Sequence, residues 1–208
     1  FKAKKLLNIH NIKVKSNFKL KLPQQVIKKN LRKFKDLNKP WITIGFSCNK
    51  TAFLKNNLPY SFYRTWRPEY FSKLIDLINS KNKKKTIFLI GAENEKNLAG
   101  KIVSKCKEKK NIIISCKPII TNLAVLTKTK CFIGNDSGPL NLAGAMGIKS
   151  FGLFGASPPI KNVNNINAIV PPGGPVNPHK LGFNPIPLEE GMDLLKSEYV
   201  YEKIKKFI

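Results

Sequence analysis

The residues Gly134-Asn135-Asp136-Ser137-Gly138-Pro139-Leu140-Asn141-Leu142-Ala143 hold the densest chemistry in the sequence. They are polar and glycine-bearing at first, then small and apolar. The apolar run Lys130-Cys131-Phe132-Ile133 before them reads as a short buried strand, and Ser150-Phe151-Gly152-Leu153-Phe154-Gly155 beyond them reads as another. A polar turn between a strand and a helix is where a parallel α/β sheet places its ligand site. The free amides at a helix start attract anions, phosphates above all. Ser137 and Gly138 can present such amides, and Ser137 adds a hydroxyl. Asp136 is the awkward neighbour, because a carboxylate repels phosphate. It either caps the helix or accepts hydrogen bonds from sugar hydroxyls. Asn141 lies about one turn further along and should face the same side.

Other chemistry is poorly supplied. His10 and His179 are the only histidines, so a His-based triad or zinc site has little to build on. Cys48, Cys106, Cys116 and Cys131 lack metal-ligand spacing and read as buried, reduced thiols of a cytoplasmic protein. No carboxylate cluster is present to hold a metal.

Positioning the loop requires strands and helices in alternation. Trp41 to Phe46, Thr86 to Ile90, Asn111 to Ser115 and Ala168 to Val170 read as further strands. Helices are expected from Gln24 to Phe34, from Pro68 to about Asn79, from Glu95 to about Lys109, from a Thr121 cap to Leu126, and from a Ser197 cap onward. Asn49 to Arg64 reads as a long polar and aromatic loop. The alternation predicts a doubly wound parallel α/β sheet.

The chain has 208 residues, 42% of them hydrophobic and 24% charged, as expected for a globular α/β domain with an appendage. Its apolar runs are too short to span a bilayer. The sequence opens at Phe1 without methionine or a signal-peptide core, which is the pattern expected of a piece of a longer protein. The net charge of +26 invites a nucleic-acid partner. Only Arg32, Arg64 and Arg67 are arginines, however, and forked phosphate and base contacts favour arginine. The scattered lysines are expected to be a solvated surface, or to make peripheral contact with an anionic membrane through clusters such as Lys81 to Lys85 and Lys203 to Lys206; no nucleic-acid partner is expected.

The stretch Gly134 to Gly147, followed by Phe151-Gly152-Leu153-Phe154-Gly155, closely resembles the signature of glycosyltransferase family 9, the bacterial heptosyltransferases of lipopolysaccharide core assembly. Arg64-Thr65-Trp66-Arg67-Pro68 resembles the family's basic-Trp-Pro segment, and Gly91-Ala92-Glu93-Asn94-Glu95 its Gly-x-x-Glu turn. The resemblance runs from about Trp41 to the end. It implies the Rossmann-like, C-terminal, donor-binding domain of a two-domain GT-B glycosyltransferase over residues 41–208, with residues 1–40 as an interdomain linker. It implies transfer of a sugar from a nucleotide-sugar, usually ADP-heptose, to a lipopolysaccharide-core or related glycolipid acceptor, with no cofactor. Asp136, Ser137 and Gly138 would meet the donor's sugar and diphosphate, Arg64 the phosphates, and Glu93 the ribose hydroxyls. Ser47, closing the first strand, would face the same crevice. Each has a plainer reading: Arg64 as a surface cation beside a tryptophan, and Glu93 as an acid at a helix start.

Two departures from the family pattern stand out. Asn141 occupies the usual place of a histidine, and asparagine cannot carry the imidazolium charge. The general base that activates the acceptor is expected on an N-terminal domain outside this sequence, so no catalytic residue is assigned here. The alternatives are a non-catalytic nucleotide-sugar-binding module or another nucleotide-sugar enzyme of the same fold.

Overall fold

A computed structural model of the chain describes residues 19–48, 64–81, 85–155, 158–159, 165–174 and 191–208. The expected loop over 49–63, both histidines and residues 82–84 of one lysine cluster lie outside them. Six strands form one parallel sheet: β1 (Trp41–Gly45), β2 (Thr86–Gly91), β3 (Ile112–Cys116), β4 (Thr129–Asn135), β5 (Ser150–Leu153) and β6 (Ile166–Ile169), in the order β3-β2-β1-β4-β5-β6. The helices are α1 (Gln24–Leu31), α2 (Pro68–Lys81), α3 (Lys96–Ser104), α4 (Ile119–Leu126), α5 (Gly138–Ala145) and α6 (Ser197–Ile204). Short 3-10 turns cover Arg32–Phe34, Glu93–Glu95 and Met192–Leu194. The doubly wound α/β expectation holds.

Strand alternation feeds two cores. Ile42, Ile44, Ile87, Leu89 and Ile133 point to one face, where α2, α3 and α6 supply Phe71, Leu74, Ile102 and Val200. Trp41, Phe88 and Phe132 point to the other, where α1, α4 and α5 supply Ile27, Leu31, Val125 and Leu140. The sheet's chain order reverses between β1 and β4, so the crevice beyond their carboxyl ends is the switch point at which such sheets bind ligands.

Some local expectations change. The helix after Glu95 stops at Ser104, not near Lys109, because Cys106 turns inward and the Lys107 amide donates to the Asp76 carboxylate at 2.9 Å. Thr121 caps nothing: α4 begins two residues earlier, and the Thr121 hydroxyl bonds Asn30 at 2.7 Å. Ser197 likewise is the first residue of α6, its hydroxyl donating to the Tyr70 carbonyl at 2.9 Å.

Candidate donor-binding site

The crevice at the switch point is a cavity of about 720 Å³ bordered by the carboxyl ends of β1, β2, β3 and β4. Ser47 and Cys48 follow β1, Ala92 to Glu95 follow β2, Lys117 and Pro118 follow β3, and Ser137 to Pro139 follow β4. Ile90, Ile119, Leu123, Leu126 and Leu142 add apolar lining.

The central loop is built tightly. Gly45 and Gly134 stand opposite each other in the β1–β4 register. A Cβ on Gly134 would lie 2.5 Å from the Gly45 carbonyl oxygen, so only glycine allows this approach. The chain then leaves the sheet through Asn135 and Asp136. Ser137, extended at φ −155°, precedes α5, and Pro139 is held in its first turn. At the far end, Gly147 takes φ +78°; its amide bonds Gly144 and the Ile148 amide bonds Ala143, a Schellman closure. The loop and its short helix are thus fixed at both ends.

Asn135 organises the surroundings, a role the sequence reading missed. Its buried side chain donates to the Phe46 carbonyl at 3.0 Å and accepts from the Trp66 amide at 3.1 Å. It therefore joins the ends of β1 and β4 to the segment carrying Arg64. The Trp66 indole donates to the Leu195 carbonyl at 2.7 Å, and Arg67 grips both carboxylate oxygens of Asp193. So anchored, Arg64 pairs with the Asp136 carboxylate and donates to the Asp136 carbonyl at 3.0 Å. Arg64 is therefore not a surface cation stacked on tryptophan but the ion-pair partner of the Asp136 carboxylate, and the N-cap of α5 is Ser137. The pairing resolves the awkwardness of an acid at an anion site, because the guanidinium offsets the carboxylate. Three buried side-chain polar atoms lack hydrogen-bond partners among the described residues: Trp41 Nε1, in the core on the α1 side of the sheet, and Arg64 Nε and Ser137 Oγ, at the loop. Buried polar atoms are nearly always bonded, and of these three only Ser137 Oγ belongs to a residue that lines the crevice.

On the opposite wall, Glu95 is buried and its Oε2 accepts from the Ser47 hydroxyl and from the Ala92 amide, each at 2.7 Å. Gly91 makes room for it: a Cβ there would sit 2.9 Å from that Oε2. Glu93 also lines the cavity but is exposed at the rim. Asn122 donates to the carbonyls of Gly91 and Lys117 and accepts from Ser115, which sets the β2 and β3 ends together. Cys48 donates to the Arg64 carbonyl at 3.3 Å, and burial raises its thiol pKa to about 11.

Of the residues singled out from sequence, Ser47, Glu93, Ser137 and Gly138 line the cavity. Arg64 and Asp136, paired with each other, are not among its lining residues. Asn141 is exposed on α5 and is not among the cavity's lining residues. Among the described residues no three His, Cys, Asp or Glu side chains gather, and no helix is long and apolar enough to cross a membrane.

A six-stranded parallel sheet with its crevice at the switch point defines a Rossmann-like α/β domain. The family model for glycosyltransferase family 9 (heptosyltransferase) matches residues 3–168, and the chain belongs to that family. Solved structures agree in fold. ADP-heptose LPS heptosyltransferase II of E. coli superposes with a TM-score of 0.69 at 12% identity, over 91% of this chain and 53% of that one. The family 9 glycosyltransferase of Veillonella parvula DSM 2008 gives 0.68 at 14%, over 96% and 57%. E. coli heptosyltransferase WaaC with ADP-2-deoxy-2-fluoro heptose gives 0.58 at 16%, over 86% and 47%. The chain thus spans about half the length of these proteins. No curated protein sequence matches.

Proposed function

We propose that this crevice binds the nucleotide-sugar donor, with ADP-heptose as the leading candidate, of a glycosyltransferase acting on a lipopolysaccharide-core or related glycolipid. The observation that carries the reading is one cavity lined both by Ser137, whose buried Oγ is unsatisfied, and by a buried, pinned Glu95, with Arg64 held beside Ser137 through Asp136. The diphosphate would meet the α5 amides, the Ser137 hydroxyl and Arg64. The ribose hydroxyls would donate to Glu95, with Glu93 beside it at the rim. Glu95 is preferred because two hydrogen bonds fix its carboxylate, whereas Glu93 projects into solvent. The base would lie on Ile119, Leu123 and Leu142, and the sugar near Asp136.

In the reaction, the acceptor oxygen bonds to the anomeric carbon as that carbon's bond to the diphosphate oxygen breaks. The acceptor proton passes to a general base, which we place outside residues 41–208. Arg64 and the α5 amides would take up the charge developing on the leaving nucleotide diphosphate. Residues 1–40 would connect the two domains, with α1 of that segment packed on α4. A glycolipid acceptor would put the enzyme on the cytoplasmic side of the inner membrane.

Calorimetric titration of the 208-residue chain with ADP and ADP-heptose tests the reading. Binding of both, lost on Arg64→Ala with the fold intact, is the expected result. Absence of any nucleotide binding by the folded wild-type chain would overturn it.

A further inference from the structure

Charge is divided unevenly across the sheet. On the α2, α3 and α6 side, four cations are ion-paired, Arg67 with Asp193, Lys73 with Glu198, Lys105 with Glu69 and Lys205 with Glu202, alongside lysines such as Lys101 and Lys203 that have no ion pair among the described residues. On the α1 side, residues 19–35 carry Lys19, Lys21, Lys28, Lys29, Arg32, Lys33 and Lys35 and no acid. None of these cations is ion-paired among the described residues. Between α1 and α4 lies a groove of about 560 Å³ rimmed by Lys29, Arg32, Lys33, Lys35 and Lys117, all exposed. Its neutral floor is locked, with the Thr121 hydroxyl bonded to Asn30 and the Asn30 amide bonded to the Val26 carbonyl at 2.9 Å.

We propose that this face docks the chain on an anionic phospholipid bilayer, the groove seating a lipid headgroup phosphate. The proposal rests on the glycolipid-acceptor reading for its biological sense, but its chemistry is independent of the donor site. Clustered lysines act as point charges toward a plane of phosphates. Nucleic acid is less well matched: the groove offers a single arginine, and its aromatic neighbour Phe34 is buried beneath it and presents no ring for stacking. Lys117 rims both the groove and the donor crevice. A bilayer held on this face therefore runs past the crevice mouth, where a lipid-linked acceptor would arrive.

The test is co-sedimentation of the 208-residue chain with phosphatidylcholine vesicles, with and without about one-third phosphatidylglycerol, at about 0.05 and 0.5 M salt. The groove variant replaces Lys29, Arg32, Lys33 and Lys35 by Gln. A control removes the same charge from the opposite face, at Lys101, Lys107, Lys109 and Lys203. A milder Lys29→Gln/Lys33→Gln variant serves if the larger set loses its fold. Salt-sensitive binding to the anionic vesicles alone is expected, falling roughly tenfold or more in the groove variant and less than about threefold in the control. The milder variant should fall between them. Equal losses in the two sets, no binding by wild type, displacement by about 1 mM free glycerol phosphate, or tighter binding of a DNA or RNA duplex would each overturn it. ADP titration of every variant runs in parallel. Vesicle binding lost with nucleotide binding kept, or the reverse, separates this proposal from the donor reading.

Discussion

Gly138 is a glycine for which the fold itself has no use. It does not adopt a left-handed φ, and a Cβ built on it would meet nothing within 4 Å. Gly138→Ala should therefore leave the fold intact. By restricting the unfolded chain it should stabilise by about 0.4–1 kcal/mol, which for a domain of this size raises Tm by roughly 1–4 °C. The ligand side predicts the opposite sign. Gly138 lines the crevice and a Cβ there meets no protein atom, so the room the methyl takes would come from a diphosphate seated on the start of α5 and would push it off the Gly138 N–H. Losing that charged hydrogen bond costs about 1.5–3 kcal/mol, or roughly a 10- to 150-fold weaker Kd for ADP. Thermal unfolding and calorimetry on the same preparation measure both quantities. A variant that melts no lower than wild type yet binds ADP within about twofold of it would refute the placement of the diphosphate at this amide.

Three further outcomes follow from the geometry. Gly134→Ala brings a Cβ to 2.5 Å from the Gly45 backbone oxygen and should destabilise by about 3 kcal/mol, lowering Tm by roughly 6–12 °C. Glu95→Gln should weaken ADP binding roughly tenfold or more, as expected for loss of a charged hydrogen bond, while Glu93→Gln weakens it less than about threefold; equal effects would remove the preference for Glu95. Burial raises the thiols of Cys106 and Cys131 to about 12, so the folded chain holds protons that the unfolded chain releases above pH 9. Their contribution is complete below pH 9 and is lost as pH rises toward 12, so Tm should fall less steeply between pH 9 and 11 in Cys131→Ala than in wild type.

The central strands were legible because each carries a short run of Ile, Phe or Leu between turn residues, as burial on both faces demands. The loop at Gly134 to Gly138 was legible because a polar turn between a strand and a small-residue helix has few other uses. Asn135 was not, because its value lies in contacts to Phe46 and Trp66, far away in sequence. The sequence pointed to Glu93 for the ribose hydroxyls and did not single out Glu95. They differ by two residues in a 3-10 turn, and which one turns inward depends on the bare face of Gly91 and on Ser47 across the crevice. The caps expected at Thr121 and Ser197 failed for a related reason. Each hydroxyl found a partner on a neighbouring element, which no local pattern announces.

The Arg64–Asp136 pair gives the site a logic that neither residue has alone. A carboxylate beside the start of α5 would repel a diphosphate, and a lone guanidinium there would hold one without regard to the sugar. Paired, they leave the local charge near neutral before a donor arrives, with the positive end of α5 beside them. Arg64 uses Nη2 for both bonds to Asp136 and keeps Nε in reserve. A phosphate oxygen that reached Nε would engage the guanidinium without breaking the pair, and would leave the carboxylate in place for sugar hydroxyls. Substitution at either position should then disturb both functions, and a double-mutant cycle on Arg64 and Asp136 should show strong coupling in ADP-heptose affinity. Independent, additive losses would mean that the two residues serve separate purposes.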